Sequence, residues 1–216
     1  LDGDEWVING TKMWISSAEH SGLFVVWAVT DPELPKGNGI TCFLVECGTP
    51  GITIGKGEHK MGQRGSSTNP VIFEDCRLPA DTILGKPNDG FRIAIAELAG
   101  GRIGIGSLAL GVATAAMDIA RQYVSEREQF DRKISDFQGI QWMLADTYTE
   151  LEASRLLLMN AAYLKESGQP FMKQAAMAKL YATEAANEAC YKALQLMGGA
   201  GYTEEYPLER FSRDVR

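Results

Sequence analysis

The chain has 216 residues, of which 45% are hydrophobic and 23% charged, and its formal net charge is −7. The apolar fraction is typical of a packed protein and excludes a disordered chain. The acidic balance, without a basic stripe, argues against a nucleic-acid-binding protein. Charged residues interrupt every apolar stretch before the roughly 20 residues that a membrane span needs, so we expect no span.

The four cysteines and two histidines lack the close spacing of zinc ligands. We therefore expect no metal site. The cysteines are predicted to be free and mostly buried thiols of a protein from a reducing compartment. They are Cys42, Cys47, Cys76 and Cys190.

The first third of the chain is rich in short apolar segments separated by glycine and proline. Asn9-Gly10 lies between two apolar segments, which is the strongest short signal for a β-hairpin. Further strands are predicted over residues 24–29, 40–45, 52–54 and 71–73. Short strands at this spacing predict an antiparallel β barrel or sandwich over residues 1–85.

After Gly85 the apolar residues recur at helical spacing. A capping box formed by Ser135 and Gln138 predicts the start of the second of three long helices. The helices are expected over residues 91–128, 135–168 and 170–198. They predict an antiparallel bundle over residues 86–216, which makes the fold class α+β. Each helix is apolar on more than one face, yet we find no fourth helix, so another helix or subunit should cover the bundle.

Seven segments occur in an order that is highly specific to one protein family. They are residues 12–16, 61–66, 73–79, 101–105, 127–130, 137–138 and 195–202. Together they resemble the acyl-CoA dehydrogenase family over essentially the whole chain. The resemblance implies an FAD-dependent enzyme that assembles as a homo-oligomer, commonly a tetramer. It also implies that the sequence begins inside the β domain and ends inside the bundle, so we expect an excerpt.

The resemblance implies that Trp14, Ile15 and Ser16 lie along the flavin ring. An indole can pack on the ring system, and the Ser16 hydroxyl can bond near the reactive nitrogen and tune the cofactor. A lone tryptophan after a hairpin would more often belong to the core.

The remaining cofactor residues are implied to contact the FAD of a neighbouring subunit and to close the adenosine side of its pocket. They are Arg127, Gln129, Phe130, Phe137, Gln138, Gln195, Gly198 and Gly199. Arginine suits a pyrophosphate because its guanidinium forms bidentate, charge-assisted bonds. Alternatively, the first segment is an ordinary charged helix end and Gly198 a helix C-cap. Asp131 stands where the family usually has glycine, and its charge is unfavourable beside phosphates.

Arg102 resembles the arginine that the family keeps close to the acyl-CoA site, and its alternative role is an ion pair with Glu97 or Asp118. The family's reaction removes a proton beside a thioester, transfers a hydride to flavin and passes electrons to an electron-transfer flavoprotein. It needs a carboxylate base. No residue is assigned as that base, because the family's usual glutamate is expected beyond Arg216 and the alternative position holds Gly101.

Residues 101–105 resemble those of members that act on short-chain or short-branched acyl-CoA thioesters. The resemblance implies a cytoplasmic bacterial protein or one of the mitochondrial matrix. Two other functions remain open. One is a non-catalytic module for assembly or binding, and the other is a flavin-dependent oxidase that passes electrons to oxygen.

Overall fold

The computed structural model describes all 216 residues. The chain divides into two compact units, Leu1–Glu97 and Leu98–Arg216. The first unit contains the strands β1 (Glu5–Ser16), β2 (Leu23–Val29), β3 (Ile40–Glu46), β4 (Ile52–Ile54) and β5 (Thr68–Pro79). The helix α1 (Gly90–Glu126) starts in the first unit and continues into the second. The second unit also contains β6 (Glu128–Gln129), β7 (Arg132–Lys133), α2 (Gln138–Glu166), α3 (Met172–Met197) and α4 (Leu208–Asp214).

Two antiparallel sheets form the β unit. One sheet has the strand order β1-β5-β4, and the other pairs β2 with β3. Side chains from both sheets enter one buried cluster, in which Val71 and Phe73 of the first sheet join Phe24, Phe43 and Val45 of the second. The predicted antiparallel sandwich is therefore confirmed.

The predicted hairpin at Asn9-Gly10 is wrong, because β1 continues through both residues. The register with β5 shifts between Ile8 and Gly10, where β5 contains one extra residue. The Asn9 amide donates to Asp75 Oδ1 at 3.1 Å, and the Asp75 N–H donates to Asn9 Oδ1 at 2.7 Å. The Asn-Gly pair thus serves a β-bulge, in which two residues of one strand oppose one residue of its partner.

Small residues let the long helices of the second unit pack closely. Ala161 of α2 lies in one buried cluster with Ala175, Ala178 and Ala182 of α3, and α1 contributes further alanines to a second buried cluster. A turn of five residues joins α2 to α3, as is typical of antiparallel neighbours. The predicted helical bundle is therefore confirmed.

Two details of the helical prediction are wrong. Ser135 does not cap α2, because it lies in a 3-10 turn over Ile134–Asp136 and the N-cap is Phe137, without a side-chain bond. The chain also contains a short fourth helix, α4, whose Leu208 is buried in the bundle core.

Large apolar side chains remain exposed on the three long helices. Examples are Ile105 and Leu108 of α1, Trp142 and Met159 of α2, and Leu180 and Tyr191 of α3. These faces are the surfaces that another helix or subunit was expected to cover.

By length and composition alone, one helix, α1, is long and apolar enough to cross a membrane. The core helix of a bundle has the same composition, and α1 supplies Met117 and Val124 to the bundle core. This single helix is therefore weak evidence for a span.

Gly90 provides a test of how α1 begins. A Cβ added there would lie 2.8 Å from Ile40 O and 2.8 Å from the carbonyl carbon of Thr41, which are both backbone atoms. Gly90→Ala should lower the free energy of unfolding by about 1–3 kcal/mol, since the backbone must move to accept the methyl group. Gly22→Ala is the control, because a Cβ at Gly22 meets nothing within 4 Å. Urea unfolding measures both variants, and equal losses would contradict the close packing.

The cysteines should differ in reactivity. Burial raises the pKa of the Cys190 thiol to about 11, so this thiol stays protonated and unreactive at pH 8. Cys42 and Cys76 are also buried, whereas Cys47 is half-buried. A thiol reagent at pH 8 should therefore modify one cysteine quickly in the native protein and four after unfolding. Loss of the fast reaction in Cys47→Ser would identify that residue, and rapid reaction of Cys190 would contradict the structure.

Candidate cofactor site

Trp14 lies on a second β-bulge, close to the end of β1. The register shift between Lys12 and Ile15 places one extra residue on β1, and Trp14 has a φ of 62°. A positive φ is a genuine outlier for so bulky a residue, and such strain is concentrated at functional sites. The bulge leaves 67% of Trp14 exposed, while Ile15 packs against the sandwich core. Trp14 is therefore not the core tryptophan of the alternative interpretation.

Ser16 ends β1 two residues after the exposed indole, in register with Thr68. Its side chain is exposed, and its hydroxyl makes no hydrogen bond within the chain. The first unit therefore presents an aromatic surface and an available hydroxyl on the same short segment.

Lys12 is a supporting residue that was not predicted. Its Nζ donates to Trp27 O at 2.7 Å, which links β1 to β2 immediately before the bulge. Trp27 in turn donates from Nε1 to Gly90 O at 2.9 Å, at the start of α1. A lysine inside an apolar strand was the only sequence signal for this link, which fixes the strand that carries Trp14.

In the second unit, a small hairpin joins α1 to α2. Its two strands, β6 and β7, are connected by Phe130 and Asp131, which have φ values of 56° and 60°. Two consecutive positive φ values are the requirement of a type I′ turn, for which Asn-Gly is the usual pair. Phe130 therefore holds a strained backbone conformation, of a kind that costs about 1–3 kcal/mol.

The hairpin forms an aromatic surface beside a cation. The Phe130 side chain is 86% exposed, and its ring stands edge-on to Phe137 with 6.3 Å between the ring centres. Arg132 stacks over Phe137 at 3.9 Å. The exposed Arg127 makes no side-chain hydrogen bond or ion pair. Its guanidinium is available to an anionic ligand, whereas Gln129 donates to its neighbour's carbonyl oxygen, Glu128 O, at 2.7 Å.

The end of α3 exposes its backbone. Gly198 has a φ of 54° and a ψ of −134°, and its N–H donates to Gln195 O, so it also serves as the helix C-cap. A Cβ on Gly198 or Gly199 would meet nothing within 4 Å, which leaves room for a ligand. Because α2 and α3 are antiparallel, this turn lies at the same end of the bundle as Phe137 and Gln138.

Arg102 lies far from the hairpin and from the end of α3. It precedes Glu126 by 24 residues of one continuous helix, a distance on the order of 36 Å at 1.5 Å per residue. Arg102 is half-buried and forms no ion pair with Glu97 or Asp118, so that alternative is wrong. Asp118 instead accepts a hydrogen bond from Tyr148 Oη at 2.8 Å. Burial, followed by this bond, raises the pKa of Tyr148.

Each unit, taken by itself, carries groups whose chemistry fits one part of FAD. The exposed indole of Trp14 can pack on a flavin ring. Arg127 can bind a pyrophosphate, and the open backbone at Gly198 admits a ligand without steric clash.

Two family models match this chain. Residues 88–216 match the acyl-CoA dehydrogenase C-terminal domain, and residues 1–76 match the acyl-CoA dehydrogenase middle domain.

Similar proteins match the chain over its whole length. It is 51% identical to the human mitochondrial short-chain specific acyl-CoA dehydrogenase, over 100% of this chain and 52% of that protein. Identity is 50% with the short/branched chain specific mitochondrial enzyme of Rattus norvegicus, over 99% of this chain and 49% of that protein. The structure of butyryl-CoA dehydrogenase from Megasphaera elsdenii superposes with a TM-score of 0.97, at 41% identity, over 100% of this chain and 56% of that one.

The chain thus spans about half the length of the curated relatives it matches. The C-terminal domain model alone covers more than half of the chain, and the middle domain model covers most of the rest. On this basis the chain belongs to the acyl-CoA dehydrogenase family.

Proposed function

We propose that the protein takes part in FAD-dependent α,β-dehydrogenation of a short-chain or short-branched acyl-CoA thioester, with electrons passed to an electron-transfer flavoprotein. The observation that carries the proposal is the exposed, strained Trp14 beside the free Ser16 hydroxyl, in a chain of this family. The names of the two relatives support the substrate class. Those names also support a mitochondrial location. We propose the mitochondrial matrix, with the bacterial cytoplasm as the alternative.

The β unit binds and orients the cofactor in this proposal. The Trp14 indole covers the flavin ring and excludes water from it, while the Ser16 hydroxyl donates a hydrogen bond to the ring. When bound, FAD supplies the hydride acceptor. The hydrogen bond of Lys12 that fixes β1 is important in this proposal, because precise positioning of the reacting groups supplies a large part of catalysis.

Two copies of the chain are proposed to build each complete site. Arg102 is assigned to the acyl-CoA and the Arg127 hairpin to the FAD pyrophosphate, yet one helix separates these two side chains by on the order of 36 Å. A hairpin that serves a neighbouring copy removes this conflict. The exposed apolar faces of the three long helices support a homo-oligomer, which we propose is a tetramer.

The carboxylate base of the reaction is not assigned to any of the 216 residues. Gly101 directly precedes Arg102 and has no side chain to move a proton, and Glu97 lies more than one helical turn earlier. We propose that the base is a glutamate located beyond Arg216. Shielding from water would raise its pKa toward the working pH.

Short substrates are proposed from the residues around Arg102. Each methylene in an apolar pocket changes binding by only about 1–3 kcal/mol, so a pocket of this kind discriminates modestly between neighbouring chain lengths. Activity toward butyryl-CoA and toward the linear five-carbon acyl-CoA, which has one more methylene, should therefore differ by about 10–200-fold at most.

The proposed activity is tested by the absorbance of the purified protein under anaerobic conditions. The protein should contain FAD, and butyryl-CoA should bleach the flavin band as the cofactor is reduced. A colourless, stable oligomer would favour the non-catalytic module. Peroxide release during turnover in air would favour the oxidase. Bound FAD that no short acyl-CoA bleaches would contradict dehydrogenation.

Arg127 should contribute to the affinity for FAD. Arg127→Ala is expected to raise the FAD dissociation constant by about 10-fold or more, because a hydrogen bond to a charged group contributes about 1.5–3 kcal/mol. Arg121→Ala is the matched control, since Arg121 is an exposed arginine of α1 that lies 3.9 Å from Asp118. Equilibrium dialysis measures both constants. Equal losses in the two variants would contradict the role of Arg127.

A further inference from the structure

The hairpin after α1 carries as many acidic as basic side chains. Residues 127–136 contain three of each, so the segment has no net charge. The basic residues are Arg127, Arg132 and Lys133, and the acidic residues are Glu128, Asp131 and Asp136. A segment built only to attract phosphate would carry a positive net charge, because that attraction is electrostatic.

Most of these charges are placed against another group. Glu128 faces Lys133 in the register of the two short strands. Arg132 stacks over the Phe137 ring. Asp136 lies just before the N-terminus of α2, where the helix dipole stabilises a negative charge.

Two charged side chains of the segment, Asp131 and Arg127, have no such neighbouring group. Neither side chain makes a hydrogen bond or ion pair within the chain. Asp131 lies at the tip of the hairpin, next to the exposed Phe130, and Arg127 lies at its base, four residues earlier. An anion that binds along the hairpin from Arg127 would approach the Asp131 carboxylate. Repulsion from that carboxylate opposes the binding.

The backbone does not require aspartate at this position. Asp131 has a φ of 60°, a left-handed conformation that asparagine tolerates equally and glycine adopts without strain. An asparagine would therefore keep the turn and remove only the charge, which separates the electrostatic role of Asp131 from its structural role.

We infer that Asp131 lowers the affinity of the hairpin for the FAD pyrophosphate and makes that affinity nearly independent of salt. The inference rests on the proposed cofactor. With Asp131 present, the hairpin has no net charge and attracts the doubly negative pyrophosphate only weakly. Added salt therefore changes the FAD affinity little, because there is little electrostatic attraction for it to screen. Without its charge, the hairpin attracts the pyrophosphate more strongly, and salt weakens that attraction.

The test measures the FAD dissociation constant of the purified protein at low and at high salt. Asp131→Asn should bind FAD about 2–5-fold more tightly at low ionic strength, the scale of one exposed charge interaction. The gain should vanish near 1 M salt, where the screening length falls to about 3 Å. The dissociation constant of ADP, which carries the same pyrophosphate, should fall by the same factor in the variant, and that of riboflavin, which has no phosphate, should not change.

Two further variants make the result specific. Asp81→Asn removes one exposed negative charge from a turn of the β unit and should leave the FAD affinity and its salt dependence unchanged. Asp131→Gly should behave like Asp131→Asn. Tighter binding by the glycine variant alone, with an unchanged salt dependence, would show a backbone effect and overturn the inference.

The remaining outcomes separate the inference from the proposed function. FAD binding that is identical in the wild type and Asp131→Asn at every salt concentration overturns the role of Asp131 and leaves the cofactor in place. Absence of FAD binding by both proteins overturns the proposed cofactor and the inference together. Gel filtration confirms that the variants keep the oligomeric state of the wild type.

Discussion

The close packing of α2 against α3 is the constraint on which the second unit depends. Small residues at the contact let these two helices approach closely, since Ala161 of α2 shares a buried cluster with Ala175 and Ala178 of α3. The 37 residues of α1, some of which share a second buried cluster with α3, form one helix about 55 Å long. This length keeps the hairpin at one end of α1 apart from Arg102 near the other, and it is the reason for the proposal that the two serve different sites.

In the first unit, the shape of β1 depends on two β-bulges in its pairing with β5. One bulge is held by Asn9 and Asp75, and the other presents Trp14. The sandwich core below them holds the strands, while Lys12 ties β1 to the second sheet. The strained residues are thus supported by well-packed neighbours, which is the condition for strain to persist at a functional site.

The regular elements were predictable because their patterns repeat. Apolar residues at helical spacing predicted three long helices, and short apolar segments separated by glycine and proline predicted an antiparallel barrel or sandwich. Asn9-Gly10 failed as a hairpin because a bond to Asp75, distant in sequence, decided the local structure. The seven-residue α4 is too short to show a period. The structural basis of the site was least predictable, since the positive φ of Trp14 and Phe130 opposes the preference of both side chains.

The bulge at Trp14 makes the exposure of the indole depend on correct pairing of β1 with β5. Successive side chains of a strand point to opposite faces, so a slip of β1 by one residue would exchange its buried and exposed faces. Ile15 would then leave the core, and Trp14 would turn toward it. The indole is available to a ligand in one strand register, and a protein that folds with β1 out of register loses core packing and ligand recognition in the same event.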